Sequence, residues 1–153
     1  MRWNYVFTLV SMGKINFFTV DTRYNLNHKK LIKNWILDIF KSEQLLKIDN
    51  LNVIICSDDY LHEINQKYLQ HDFLTDIITF KYSDIDNFLE GELYISIDRV
   101  KENSRNLGIP VRNELFRVIA HGILHLCGHN DKRKQEKQKM RELENRYLQI
   151  LKI

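Results

Sequence analysis

Apolar residues recur along this chain at two periods, and the alternation between them lays out the predicted elements. Residues 14–21 (KINFFTVD) are dense in Phe, Ile and Val and read as a first strand. Behind them Leu31, Ile32, Trp35, Ile36, Ile39 and Phe40 fall at helical spacing. They predict a helix over residues 28–43, with Asn27 as N-cap and Lys29, Lys30, Lys33 and Lys41 on a solvated outer face. Residues 51–56 (LNVIIC) predict a second strand, and Ser57 or Asp58 caps a short helix to about Tyr68. Between Asn65 and Phe80 the pattern passes from helix end through a loop to a strand beginning near Asp76. Residues 84–90 are polar and turn-like, residues 91–97 (GELYISI) alternate as a half-buried strand, and Asp98 opens a helix to about Leu107. Gly108 and Pro110 break the chain before a helix that begins near Val111 and stops at Gly128. Its apolar faces carry Phe116, Val118, Ile119 and Leu126, and its polar faces Glu114 and Arg117. A terminal helix from about Lys132 has Met140, Leu143, Tyr147, Leu148 and Leu151 as its seam. This order predicts an α+β fold: a single small mixed sheet of about four strands, with helices packed around it.

A length of 153 residues fits one domain with a real core. Residues 13–153 read as a single hydrolase domain, and residues 1–12 as an N-terminal extension or a start-site artefact, since Met12 immediately precedes the first regular element. A net charge of +3 excludes a polycation, so nucleic-acid binding must come from local patches. Cys56 and Cys127 are too few for a disulfide framework. No apolar run approaches the ~18 residues of a membrane span, and the opening segment lacks a small-residue cleavage site. The expected location is the cytoplasm, away from membranes.

Chemistry concentrates in HGILHLCGHND, residues 121–131, at the end of the central helix. At ~100° per residue His121 and His125 share one face, about 40° apart, and the Gly128 stop lets the chain bring Asp131 back toward them. Two imidazoles and a carboxylate make a three-ligand metal site with a fourth position left for water, the arrangement of catalytic zinc. Asp131 also fits as N-cap of the terminal helix, and His129 competes for the third position. Cys127 lies ~120° from the His face and reads as a buried thiol. The HExxH metalloprotease motif needs a Glu after the first His, and here that residue is Gly122. Lys132, Arg133, Lys134, Lys137, Lys139 and Arg141 crowd the near end of the terminal helix, as a solvated face or as a cluster suited to an RNA backbone.

The same stretch resembles the signature of the YbeY family of metal-dependent endoribonucleases: two His four apart, Leu, Gly, and a third His six residues after the second. His121, Gly122, Leu124, His125, Leu126 and Gly128 match, and Asp131 stands where the family pattern has its third His. Asn65, Tyr68, Asp72, Thr75, Asp76 and Phe80 are similar to a second signature, with Leu69 in place of the family's Arg and Leu74 in place of its Pro. GELYIS resembles a third, with Glu92 in the usual Asp position. The resemblance covers nearly all of residues 13–150. It implies the same fold and one Zn²⁺ per chain, or another divalent metal, held by His121, His125 and Asp131. It implies a single-strand-specific endoribonuclease of ribosomal RNA processing, in maturation of 16S rRNA and ribosome quality control. The partners implied are rRNA precursors and small-subunit ribosomal proteins. On that reading Arg117, Lys132, Arg133, Lys134 and His71 hold the RNA backbone. Asp76 and Glu92 are the candidates for general base, each also explicable as a strand-end hydrogen-bond acceptor. The competing readings are a non-catalytic, metal-stabilised ribosome-assembly factor and a metal-dependent hydrolase of another substrate such as peptide.

Overall fold

The structure, a computed structural model, describes residues 13–45, 47–70, 75–83 and 88–151. Its elements are β1 (Lys14–Val20), α1 (Lys29–Ser42), β2 (Lys47–Cys56), α2 (Asp58–Leu69), β3 (Ile77–Lys81), β4 (Phe88–Ser96), α3 (Ile97–Leu107), α4 (Val111–Leu126) and α5 (Lys134–Ile150). The predicted α+β architecture is observed. One sheet runs in the order β1-β2-β4-β3, with β1, β2 and β4 parallel and β3 antiparallel at the edge beside β4.

Side chains alternate across a strand, and this divides the core in two. Leu51, Val53 and Ile55 of β2 and Leu89, Leu93 and Ile95 of β4 point to the face where α1, α4 and α5 pack, and are nearly all sealed from solvent. Trp35 of α1 stands edge-on to Phe116 of α4 and donates its indole N–H to the Tyr147 carbonyl of α5 at 2.8 Å, tying the three helices together. On the other face Ile54, Cys56 and Ile78 meet Leu61 of α2 in a smaller cluster. At Gly122 helix α4 lies close on the sheet: a Cβ there would lie 2.6 Å from Ile77 Cδ1 and 2.9 Å from Leu93 Cδ2.

Four boundaries differ from expectation. Strands β2 and β4 begin earlier, because Lys47 and Ile48 pair with Phe88 and Leu89, and a ladder of amides from Asn16, Asn50 and Asn52 satisfies the polar positions at 3.0–3.5 Å. Helix α1 is capped not by Asn27 but by His28 in the left-handed region, φ 60°, without a side-chain cap. Helix α5 begins at Lys134, its first turn closed by Glu136, which accepts from the Lys132 and Arg133 amides at 3.1 and 2.9 Å. Asp131 is therefore no helix cap. The expected extension at residues 1–12, and His71 and Asp72, lie outside the described residues.

Candidate metal centre

Helix α4 ends in a motif that aims its two imidazoles. Gly128, at φ 99° in the left-handed region that favours glycine, turns the chain. The His129 amide then donates to the Leu124 carbonyl, and the Gly128 amide to the His125 carbonyl, each at 3.0 Å. The turn returns the His129 carbonyl to His125 Nδ1 at 2.9 Å, and Glu144 Oε2 lies 3.2 Å from His121 Nδ1. With both Nδ1 atoms so engaged, both Nε2 atoms face inward. They stand 3.0 Å apart, and Asp131 Oδ2 is 3.3 Å from each.

These spacings fit an ion. Tetrahedral bonds of about 2.0–2.1 Å place neighbouring ligand atoms about 3.3 Å apart, close to the triangle observed. Two nitrogens, a carboxylate oxygen and half-exposed surroundings suit zinc or a similar divalent metal with one side open. The C-terminal end of α4 adds negative potential.

Behind the triangle lies a buried ionic network. Arg117 Nη1 binds Glu144 Oε1 at 2.9 Å, and its Nε and Nη2 grip Glu114 at 2.8 and 2.5 Å. Asn103 Nδ2 bridges Glu114 Oε1 at 3.4 Å and Asp76 Oδ2 at 3.2 Å. Burial opposes the charged form of Glu144, but His121 and Arg117 outweigh it and hold the carboxyl below its ordinary range. Burial likewise pulls His121 down, and Glu144, Asp131 and Asp76 outweigh it and raise the imidazole. His129 is engaged elsewhere, its Nε2 on Glu43, which also accepts the Tyr147 hydroxyl. Burial pushes the Cys127 thiol up to about 12, as befits an inert side chain.

A family model described as Endoribonuclease YbeY matches residues 15–152. The chain belongs to the YbeY family. It is 46% identical over 139 residues to the Endoribonuclease YbeY of Cytophaga hutchinsonii, covering 91% of this chain and 96% of that protein. To the Endoribonuclease YbeY of Amoebophilus asiaticus it is 44% identical over 136 residues, 89% of this chain and 92% of that one. The solution structure of TM1509 from Thermotoga maritima shares the fold, with a TM-score of 0.60 at 29% identity over 89% of this chain and 87% of that one.

Within this YbeY-family chain the three sequence-predicted ligands converge, and the other candidates disperse. Asp76 opens β3 near His121, close enough for its charge to raise the imidazole. Glu92, the other general-base candidate, stands on the far face of the sheet. It alternates with Leu93, which faces α4, and so points to the opposite side of the sheet. There it accepts from Tyr82 at 2.6 Å, Asn52 and Tyr94 at 3.3 Å. Arg117, expected on phosphate, is held by the buried Glu114 and Glu144. Lys132, Arg133 and Lys134 are exposed directly after Asp131. Glu114, expected on a polar face, is fully buried. Glu144, Glu43 and Asn103 escaped sequence reasoning. A carboxylate at 144 inside the Met140–Leu143–Tyr147 seam was the one available signal.

Proposed function

We propose that this chain is a metal-dependent, single-strand-specific endoribonuclease acting in ribosomal RNA processing, including maturation of 16S rRNA and ribosome quality control. Its family relatives carry the name endoribonuclease, and the observation that carries the reading here is the triangle of His121, His125 and Asp131, open on one side. These residues would hold one Zn²⁺ or another divalent metal. When bound, such an ion supplies Lewis-acid polarisation of the scissile phosphate and lowers the pKa of water beside it. Lys132, Arg133 and Lys134 would hold the RNA backbone on the exposed side of the site, neutralising charge as it develops. Asp76, kept in place by Asn103 at 3.2 Å, would accept the proton of the attacking water.

An assembly factor with a closed structural site needs a fourth ligand, and His129 is held by Glu43 instead. A peptidase of the HExxH kind lacks its Glu at Gly122. Among the described residues no helix is long and apolar enough to cross a membrane; an rRNA-precursor substrate and small-subunit protein partners would place the chain in the cytoplasm, with residues 13–153 acting as one hydrolase domain. The test uses purified protein with and without zinc on labelled single-stranded RNA, duplex RNA and casein. Zinc-dependent internal cleavage of the single strand alone, lost in Asp131→Ala, is expected. Casein cleavage, or RNA cleavage that survives Asp131→Ala, would overturn the reading.

A further inference from the structure

Glu144 lies outside the ligand triangle, yet it is the deepest charged group touching it. Its side chain is buried, one oxygen 3.2 Å from His121 Nδ1 and the other 2.9 Å from Arg117 Nη1. Arg117 is clamped by Glu114, which has no exposed surface at all. The network thus holds two carboxylates and one guanidinium, and its remaining negative charge faces the His121 ring. Such a charge is costly unless a cation faces it. Beyond that ring lies the His121 Nε2, beside Asp131 and His125, where a cation would sit.

From this arrangement we infer that Glu144 is a positioning residue for the metal centre: it fixes the Nδ1–H tautomer of His121, sets the ring's direction and makes Nε2 the stronger donor. Arg117 holds Glu144 in that pose, and Glu114 holds Arg117. The chain Glu114–Arg117–Glu144–His121 is one unit. It joins Glu114 in the first turn of α4 to His121 further along the same helix through α5, so the ligand geometry depends on the docking of the terminal helix. The inference rests on the metal reading above and adds to it a residue that acts through His121 without touching the ion.

The test compares wild type, Glu144→Gln, Glu144→Ala and, as a control on the exposed side of α5, Glu142→Gln. Zinc affinity is read by competition with a chromophoric chelator, and ligand geometry by the visible absorption of the Co²⁺-loaded proteins. Thermal melting of the metal-free forms is followed alongside. Loss of an outer-shell partner of a ligating imidazole costs about 10–100-fold in metal affinity. That loss is expected for Glu144→Gln together with a changed Co²⁺ spectrum, while Glu142→Gln stays at wild type. Glu144→Gln keeps an acceptor for Arg117, and it decides the question by itself if Glu144→Ala does not fold. A folded Glu144→Gln with wild-type zinc affinity and Co²⁺ spectrum would reduce Glu144 to a helix-docking ion pair, even if its melting temperature fell. Equal weakening by Glu142→Gln would also overturn the inference. Failure of wild type to bind zinc would remove the metal reading beneath it, a distinct result.

Discussion

Tyr147 of α5 donates its hydroxyl hydrogen to Glu43 at the end of α1, at 2.5 Å and across 104 residues of sequence. The other oxygen of Glu43 takes His129, so one carboxylate braces the turn that carries Asp131. Glu43→Ala leaves the Tyr147 hydroxyl and the His129 N–H without their acceptor. The expected cost is about 1–3 kcal/mol of stability, measured by urea unfolding of the metal-free protein against wild type.

Acid should act through the same groups. Burial opposes the charge on Glu43, and Tyr147 and His129 outweigh it; Glu144 is likewise held below its ordinary range by His121 and Arg117. A carboxyl whose folded pKa lies below its unfolded one contributes stability above the unfolded value, near pH 4.3 by the usual reference of about 4.3 for Glu, and loses it as pH falls through the folded value. Stability of the metal-free protein should therefore drop from about pH 5 downward. The drop should be shallower in Glu43→Gln, where one of the two shifted groups is gone.

Metal content separates the candidate third ligands. Wild type should carry about one zinc by mass spectrometry, the single-ion stoichiometry of a three-ligand catalytic site. Asp131→Ala should lose it, and His129→Ala, whose ring faces Glu43, should keep it. The reverse pattern would move the ligand to His129.

The cluster of His121, His125 and Asp131 was legible because two of its residues share one helix face and the third follows in the turn after it, where helical spacing and a glycine stop fix the geometry. The strands were legible from their short runs of β-branched and aromatic residues and from the alternation in residues 91–97, and their order was not, since nothing local tells β4 to insert between β2 and β3. Glu144 and Glu43 were invisible for another reason: their partners are 23 and 86 residues away. Glu114 misled because a charged residue in an amphipathic helix reads as part of its polar face. In the fold a second carboxylate, Glu144, reaches the Arg117 guanidinium that Glu114 holds, and Glu114 is buried with it.

The general base can be settled by the two faces of the sheet. Asp76→Asn should lower the rate of RNA cleavage by about 10²–10⁴-fold, the usual contribution of a positioned acid or base, with zinc retained. Glu92→Gln, on the far face with Tyr82 and Tyr94, should cleave as wild type does. Equal loss in both would return Glu92 to the site.

RNA affinity should depend on salt through the start of α5. Each phosphate contact removed should shallow the slope of log affinity against log salt by about 0.7 on a single strand. Replacing Lys132, Arg133 and Lys134 by Ala should therefore flatten the slope stepwise, measured by fluorescence anisotropy. Substitution of Lys29, Lys30 and Lys33 on α1 should leave it unchanged.

The close seat of α4 on the sheet constrains what this scaffold can evolve into. A methyl group at position 122 already meets Ile77 and Leu93, so a longer acidic side chain beside the first histidine would be driven into hydrocarbon rather than toward the ion. A substitution at position 122 that adds such a side chain requires Ile77 and Leu93 to repack beneath the helix. Packing in the core thus acts as a barrier between two chemistries whose ligand spacing is the same, and keeps a lineage on one side of it.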